Sequence, residues 1–86
     1  MHYVYILKSI ESGRLYTGFS ENLRQRIRQH QSKAVHTTKR MGNLDLIYYE
    51  TFKSKEDAKR REKYLKTTKG KRTLKLMLKD SLGPVV

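Results

Sequence analysis

The chain has no cysteine, no tryptophan and a single proline, and its acids are few: 8 Asp and Glu against 20 Lys and Arg in 86 residues. Each scarcity excludes something. Without cysteine there is neither a disulfide framework nor a thiolate zinc site. The first residues lack the apolar stretch of a secretory signal, and no apolar run approaches the ~18 residues that span a bilayer. A reducing, cytoplasmic setting with no membrane partner is expected. His2, His30 and His36 do not share metal-motif spacing, and neither a Gly-rich phosphate loop nor a Ser/His/Asp set is visible. There is no repeat, low-complexity segment or linker. One domain over residues 1–80 is expected, with a flexible C-terminal tail at 81–86 once Gly83-Pro84 ends regular structure. The 36% of hydrophobic residues suffices for one thin core.

The charge that is present is uneven. Residues 1–21 and 44–62 balance. Residues 22–43 hold six bases and no acid, and residues 63–80 hold seven bases and only Asp80. Two blocks therefore carry the whole net charge of +12, which points to a polyanionic partner rather than a merely basic soluble surface.

Apolar patterning supplies the elements. "HYVYILKS" puts Tyr3, Tyr5 and Leu7 on one face and Val4 and Ile6 on the other, as in a central strand covered on both sides. "IESG" turns the chain and "RLYTGF" returns it, making a hairpin. "SENLRQRIRQHQ" predicts a helix capped by Ser20 or Asn22, with Leu23 and Ile27 as its apolar stripe. Residues 30–42 read as a polar, basic loop, and "NLDLIYYETF" as a third strand. A second helix starts at Ser54 with an S-x-x-D capping pattern. Gly70 interrupts it, and "KRTLKLMLKD" forms a third helix with Leu74, Met77 and Leu78 inward. The order β-β-α-β-α-α predicts an α+β fold: a small three-stranded antiparallel sheet flanked by helices.

Polar groups on apolar faces mark candidate sites. With Leu23 at zero, Ile27 lies at about +40°, His30 at about −20° and Arg26 at about −60° around the first helix. Arg24 and Arg28 point away to solvent. Two readings of Arg26 and His30 stay open: a pair of cations that clamps a phosphate, or a snorkelling arginine beside a core histidine. Glu62 falls within about 40° of Ala58 on the buried face of the second helix. A carboxylate there needs a cation, Arg26 for instance, or a hard metal ion.

Taken together these residues resemble the GIY-YIG nuclease superfamily. Its two tripeptides read here as Tyr3–Tyr5 ("YVY") and Tyr16–Gly18 ("YTG"), with ten residues between the two motif tyrosines. Arg26, His30 and Glu62 match an arginine, a histidine and a glutamate of that family, and the resemblance covers about residues 2–79. It is similar to a small single-domain bacterial group and to the amino-terminal nuclease domain of the bacterial excision-repair endonuclease. The chain departs from the family at Tyr3, which stands in the place of the first glycine, and at Leu76, where many members carry Asn.

The resemblance implies a metal-dependent DNA endonuclease, with RNA also open as a substrate. Tyr5, Tyr16, Arg26, His30 and Glu62 would be catalytic, and Glu62 would hold one Mg²⁺ or Mn²⁺. It implies a tyrosine that deprotonates the attacking water, its pKa lowered by Arg26 or the metal, and Arg26 offsetting charge on phosphorus. Arg24, Arg28, Lys33, Lys39, Arg40, Lys66, Lys69, Lys71 and Arg72 would hold the nucleic-acid backbone. A monomer is expected, with a recruiting protein partner supplying specificity. The alternative is a non-catalytic nucleic-acid-binding module on the same fold, motivated by Leu76.

Overall fold

A computed structural model describes residues 1–83. Strands β1 (His2–Ser9), β2 (Leu15–Ser20) and β3 (Leu44–Phe52) and helices α1 (Leu23–Gln31), α2 (Lys55–Leu65) and α3 (Thr68–Met77) follow the expected β-β-α-β-α-α order. The sheet order is β2-β1-β3, both pairings are antiparallel, and β1 is central.

The alternation in β1 works as expected. Val4 and Ile6 pack with Ala58, Leu65, Leu74 and Leu78 beneath α2 and α3. Tyr5 and Leu7 pack on the other face with Leu44, Leu23, Ile27 and Met41 beneath α1. A register shift in the β1–β3 pairing falls between Ile6 and Leu7. It lets the consecutive Ile47 and Tyr48 both face α2, while Leu46 joins the α1 side.

Each helix begins on a side-chain cap. Asn22, not Ser20, accepts from the Gln25 N–H, Ser54 from Asp57 and Thr67 from Gly70. Three expectations need correction. Gly70 does not interrupt helical structure but lies buried in the first turn of α3, because a Cβ there would run into the backbone of Tyr64 and Leu65. Met77 is not inward but 43% exposed, since Leu74 and Leu78 alone fill the inner face. The expected loop after α1 contains a 3₁₀ turn, His36–Thr38, that buries Val35 and Thr38. Of the expected tail, Leu82 packs on the α2–α3 core and its carbonyl accepts from Lys8 Nζ; residues 84–86 lie outside the described residues.

Candidate active site

Tyr5 stands at the middle of β1, opposite Gly18 of β2 and Tyr49 of β3. Gly18 has an ordinary φ; what it supplies is space. A Cβ there would fall on the hydroxyl end of the Tyr5 ring and 2.9 Å from Tyr16 Cε2. The Tyr5 ring therefore leans over β2 and brings its phenol beside that of Tyr16, with ring centroids 6.3 Å apart.

His30 closes this cluster from above. It is fully buried, with Nε2 2.7 Å from the Tyr5 hydroxyl and Nδ1 2.7 Å from Thr38 Oγ1. Its ring centroid lies 5.1 Å from that of Tyr16. Burial pulls the His30 imidazole down to about 4, and the Arg26 guanidinium adds to the fall. The ring is thus neutral at pH 7, with one N–H and one acceptor nitrogen. Whichever way the proton sits, Tyr5, His30 and Thr38 form one hydrogen-bonded line. The expected pair of cations is therefore one cation, Arg26, and one neutral ring.

Burial also pushes the Tyr5 hydroxyl up to about 12. Arg26 opposes this, whereas Tyr16 and Glu62 reinforce it. Arg26 does act on the phenol in the expected direction, but desolvation outweighs it. The Arg26 guanidinium is half-buried and donates to Gln29 Oε1 at 3.1 Å. The Tyr16 ring is half-buried too, and its hydroxyl has no hydrogen-bond partner among the described residues.

Glu62 approaches from the α2 side of the sheet. Its side chain is only 16% exposed, and its oxygens lie 3.8 Å from Lys59 Nζ and 3.0 Å from Lys66 Nζ. Lysines of its own helix thus take the place expected of Arg26. No group of three or more His, Asp or Glu converges among the described residues. A lone, shielded carboxylate fits a single hard dication such as Mg²⁺, which takes one or two protein oxygens and completes its shell with water and phosphate. The two lysine contacts are side-by-side helix pairs of the weak, easily exchanged kind.

The structure thus brings Tyr5, Tyr16, His30 and Arg26 together on the α1 face, with the charge of Glu62 felt at Tyr5. Thr38 belongs to this cluster, and the only sign of it in the sequence is the apolar Val35 three residues before it. Among the basic residues, Arg24, Arg28, Lys39, Arg40, Lys69, Lys71 and Arg72 are exposed and carry no ion pair among the described residues. Lys33 instead gives its ammonium to the Gly42 carbonyl, and Lys66 gives its own to Glu62. Leu76 is 74% exposed on α3, across the sheet from the tyrosines.

Comparison with known proteins places the chain in a family. The family model of the GIY-YIG catalytic domain matches residues 1–75. A UPF0213 protein of Clostridium perfringens is 37% identical over 83 residues, 95% of this chain and 88% of that one. One from Staphylococcus haemolyticus is 40% identical over 77 residues, 88% of this chain and 93% of its own. The solution NMR structure of a UPF0213 protein from Bacillus halodurans superposes with a TM-score of 0.56 at 37% identity, covering 96% of this chain and 87% of that one.

Proposed function

The chain belongs to the GIY-YIG nuclease family, and from that premise we propose that it is an endonuclease that hydrolyses DNA phosphodiester bonds with one Mg²⁺ or Mn²⁺. The observation that carries the reading is the buried line Tyr5–His30–Thr38 set against Tyr16 and Arg26. A fold of this size has little need to bury a histidine, a threonine and a phenol together. Buried polar groups arranged in series are what a proton-handling site requires.

Each residue then has a role. Arg26, the one permanent cation of the cluster, binds a non-bridging oxygen of the scissile phosphate and offsets charge as it develops there. Tyr5 is held protonated by burial, with Tyr16 and Glu62 adding to it, so it orients the reacting groups as a neutral phenol. Tyr16 has the free hydroxyl and, in its phenolate form, would accept the proton that the attacking water loses. His30 fixes the Tyr5 phenol, and Thr38 fixes His30. Glu62 would hold the metal ion, whose charge when bound favours departure of the leaving oxygen.

The test is nicking of supercoiled plasmid with Mg²⁺ or Mn²⁺. Tyr16→Phe, Arg26→Ala and Glu62→Ala should each lower the rate by roughly 10²-fold or more, the usual loss for an electrostatic or proton-transfer group. Cutting that survives all three substitutions would refute the assignment. The non-catalytic reading, motivated by Leu76 on α3, which packs against the α2 helix that carries Glu62, predicts DNA binding with no metal-dependent nicking in the same assay.

A further inference from the structure

α1 acts as a ridge. Arg26 and His30 face the β2 side of it. On the β3 side, opposite, runs an open groove of about 600 Å³. Tyr3, Leu46 and Tyr49 form its floor, and Ile27, Arg24 and Arg28 its wall. The two tyrosine rings lie 6.2 Å apart and tilted, and Tyr49 is 51% exposed. Arg24 and Arg28 are one helical turn apart and unpaired among the described residues. One acid, Glu21, reaches the rim, and it lies 3.5 Å from His2 Nδ1. Arg24 and Arg28 are exposed, as expected, and line the side of this groove.

Nothing in the core needs Tyr49: its ring is half in water, and Tyr48 and Leu46 already cover the two faces of β3. What the groove offers is a flat π surface beside two guanidinium groups that can take phosphates. That combination matches single-stranded nucleic acid, whose unstacked bases lie on aromatic faces while the backbone follows the cations. A base still stacked inside a duplex cannot enter a cleft walled by a helix on one side and floored by a sheet. The volume falls in the ~300–1,000 Å³ range of small-molecule sites.

Building on the reading that the chain acts on nucleic acid, we propose that this groove takes an unstacked nucleobase of a single-stranded segment, laid on Tyr49 beside Tyr3, with the flanking phosphates on Arg24 and Arg28. The groove and the Tyr5–Tyr16 cluster lie on the same face of the sheet, separated by α1. A strand that crosses α1 can present a phosphate to Arg26 and an unpaired base to Tyr49. Substrates with a flap, a gap or an extruded base then gain a contact that blunt duplex lacks.

The experiment uses a single-stranded oligodeoxynucleotide carrying 2-aminopurine, and its duplex, titrated with the full chain while anisotropy and fluorescence are read. The wild type should quench the single strand's 2-aminopurine on binding. Tyr49→Ala should weaken single-strand binding roughly ten-fold and move duplex binding by less than about two-fold, the pattern of a lost stacking contact, and Tyr49→Phe should retain both. Arg24→Ala with Arg28→Ala should also weaken the single strand, with a shallower salt dependence. Circular dichroism melts check that each variant is folded. If Tyr49→Ala leaves single-strand affinity unchanged, or weakens single strand and duplex alike, the groove is not a base site. The nuclease reading then stands, provided the wild type still cuts plasmid. If the wild type binds neither form at low salt, both proposals fall.

Discussion

At the scale of single residues, the site is decided by what burial does to titratable groups. The unfolded chain's His30 takes up a proton near pH 6.5, whereas the folded chain holds out to about 4 because the ring is desolvated and faces Arg26. Between those values acid favours the unfolded state. Stability is whole above pH 6.5 and falls as the pH drops towards 4, by about 2 kcal/mol at pH 5 and about 3 kcal/mol in full. Glu50, whose pKa is lowered by its bonds to Arg61 and Tyr48 against the pull of burial, adds its own loss only at lower pH. Urea unfolding at pH 7.5 and pH 5 checks this. In His30→Gln the fall between the two should largely disappear; a fall of the same size would place its origin elsewhere. Much of this cluster was legible beforehand. Tyr5 and Tyr16 stood in the two tripeptides, and helical angles alone put His30 in the apolar stripe. Thr38 was not legible, because a 3₁₀ turn in a polar segment has no periodicity. It becomes a partner of His30 only when the chain folds back under α1.

At the scale of elements, the same lesson recurs at Gly70. Sequence shows a glycine between two helical patterns and cannot tell a breaker from a close approach. Here it is the approach: α3 begins hard against the end of α2, and the atoms a methyl would meet are backbone, Tyr64 O and C and Leu65 Cα, which cannot rotate away. Gly70→Ala sets two effects against each other. Alanine gains up to ~1 kcal/mol in helix propensity. Forcing a methyl into a packed backbone contact costs ~1–3 kcal/mol or more. Because the contact is far inside van der Waals distance, the steric term wins, and a net loss of about 2 kcal/mol is expected. A thermal melt of Gly70→Ala tests it; a raised Tm would show that the corner opens freely. The strands and caps, by contrast, were legible because they rest on local chemistry. Ser54 caps its helix as the S-x-x-D pattern predicts, and Asn22 is one of the two caps that residue type allowed for α1. The α2–β3 lock was not legible. Arg61 grips both oxygens of Glu50 at 2.8 and 3.0 Å, and Glu50 also accepts from Tyr48, across 11 residues of sequence that no periodicity connects.

At the scale of the whole molecule, the charge excess acquires a geometry. The basic block at 22–43 rides on α1 and the 3₁₀ turn, over one face of the sheet; the block at 63–80 rides largely on α3, over the other. A groove lined by Arg14, Thr17, Lys71 and Lys75 carries the α3 charge down to β2. The α3 block thus reaches the β2 edge, and Arg26 and Glu62 approach that edge from opposite faces of the sheet. The long axis of 38 Å matches roughly eleven nucleotide steps at ~3.4 Å each, so the footprint is short and few phosphates are neutralised. Each neutralised phosphate contributes about −0.9 to the slope of log affinity against log salt. If one duplex lies across the β2 edge, both blocks touch it. Lys39→Ala with Arg40→Ala should then flatten the slope by about two, and so should Lys71→Ala with Arg72→Ala. Affinity of each double variant for duplex DNA, measured from low to physiological salt, decides the matter. A slope that responds to one pair and ignores the other would put the polyanion on a single face. Arg26 and Glu62 would then have no phosphate in common, and the one-metal mechanism would lose its geometry.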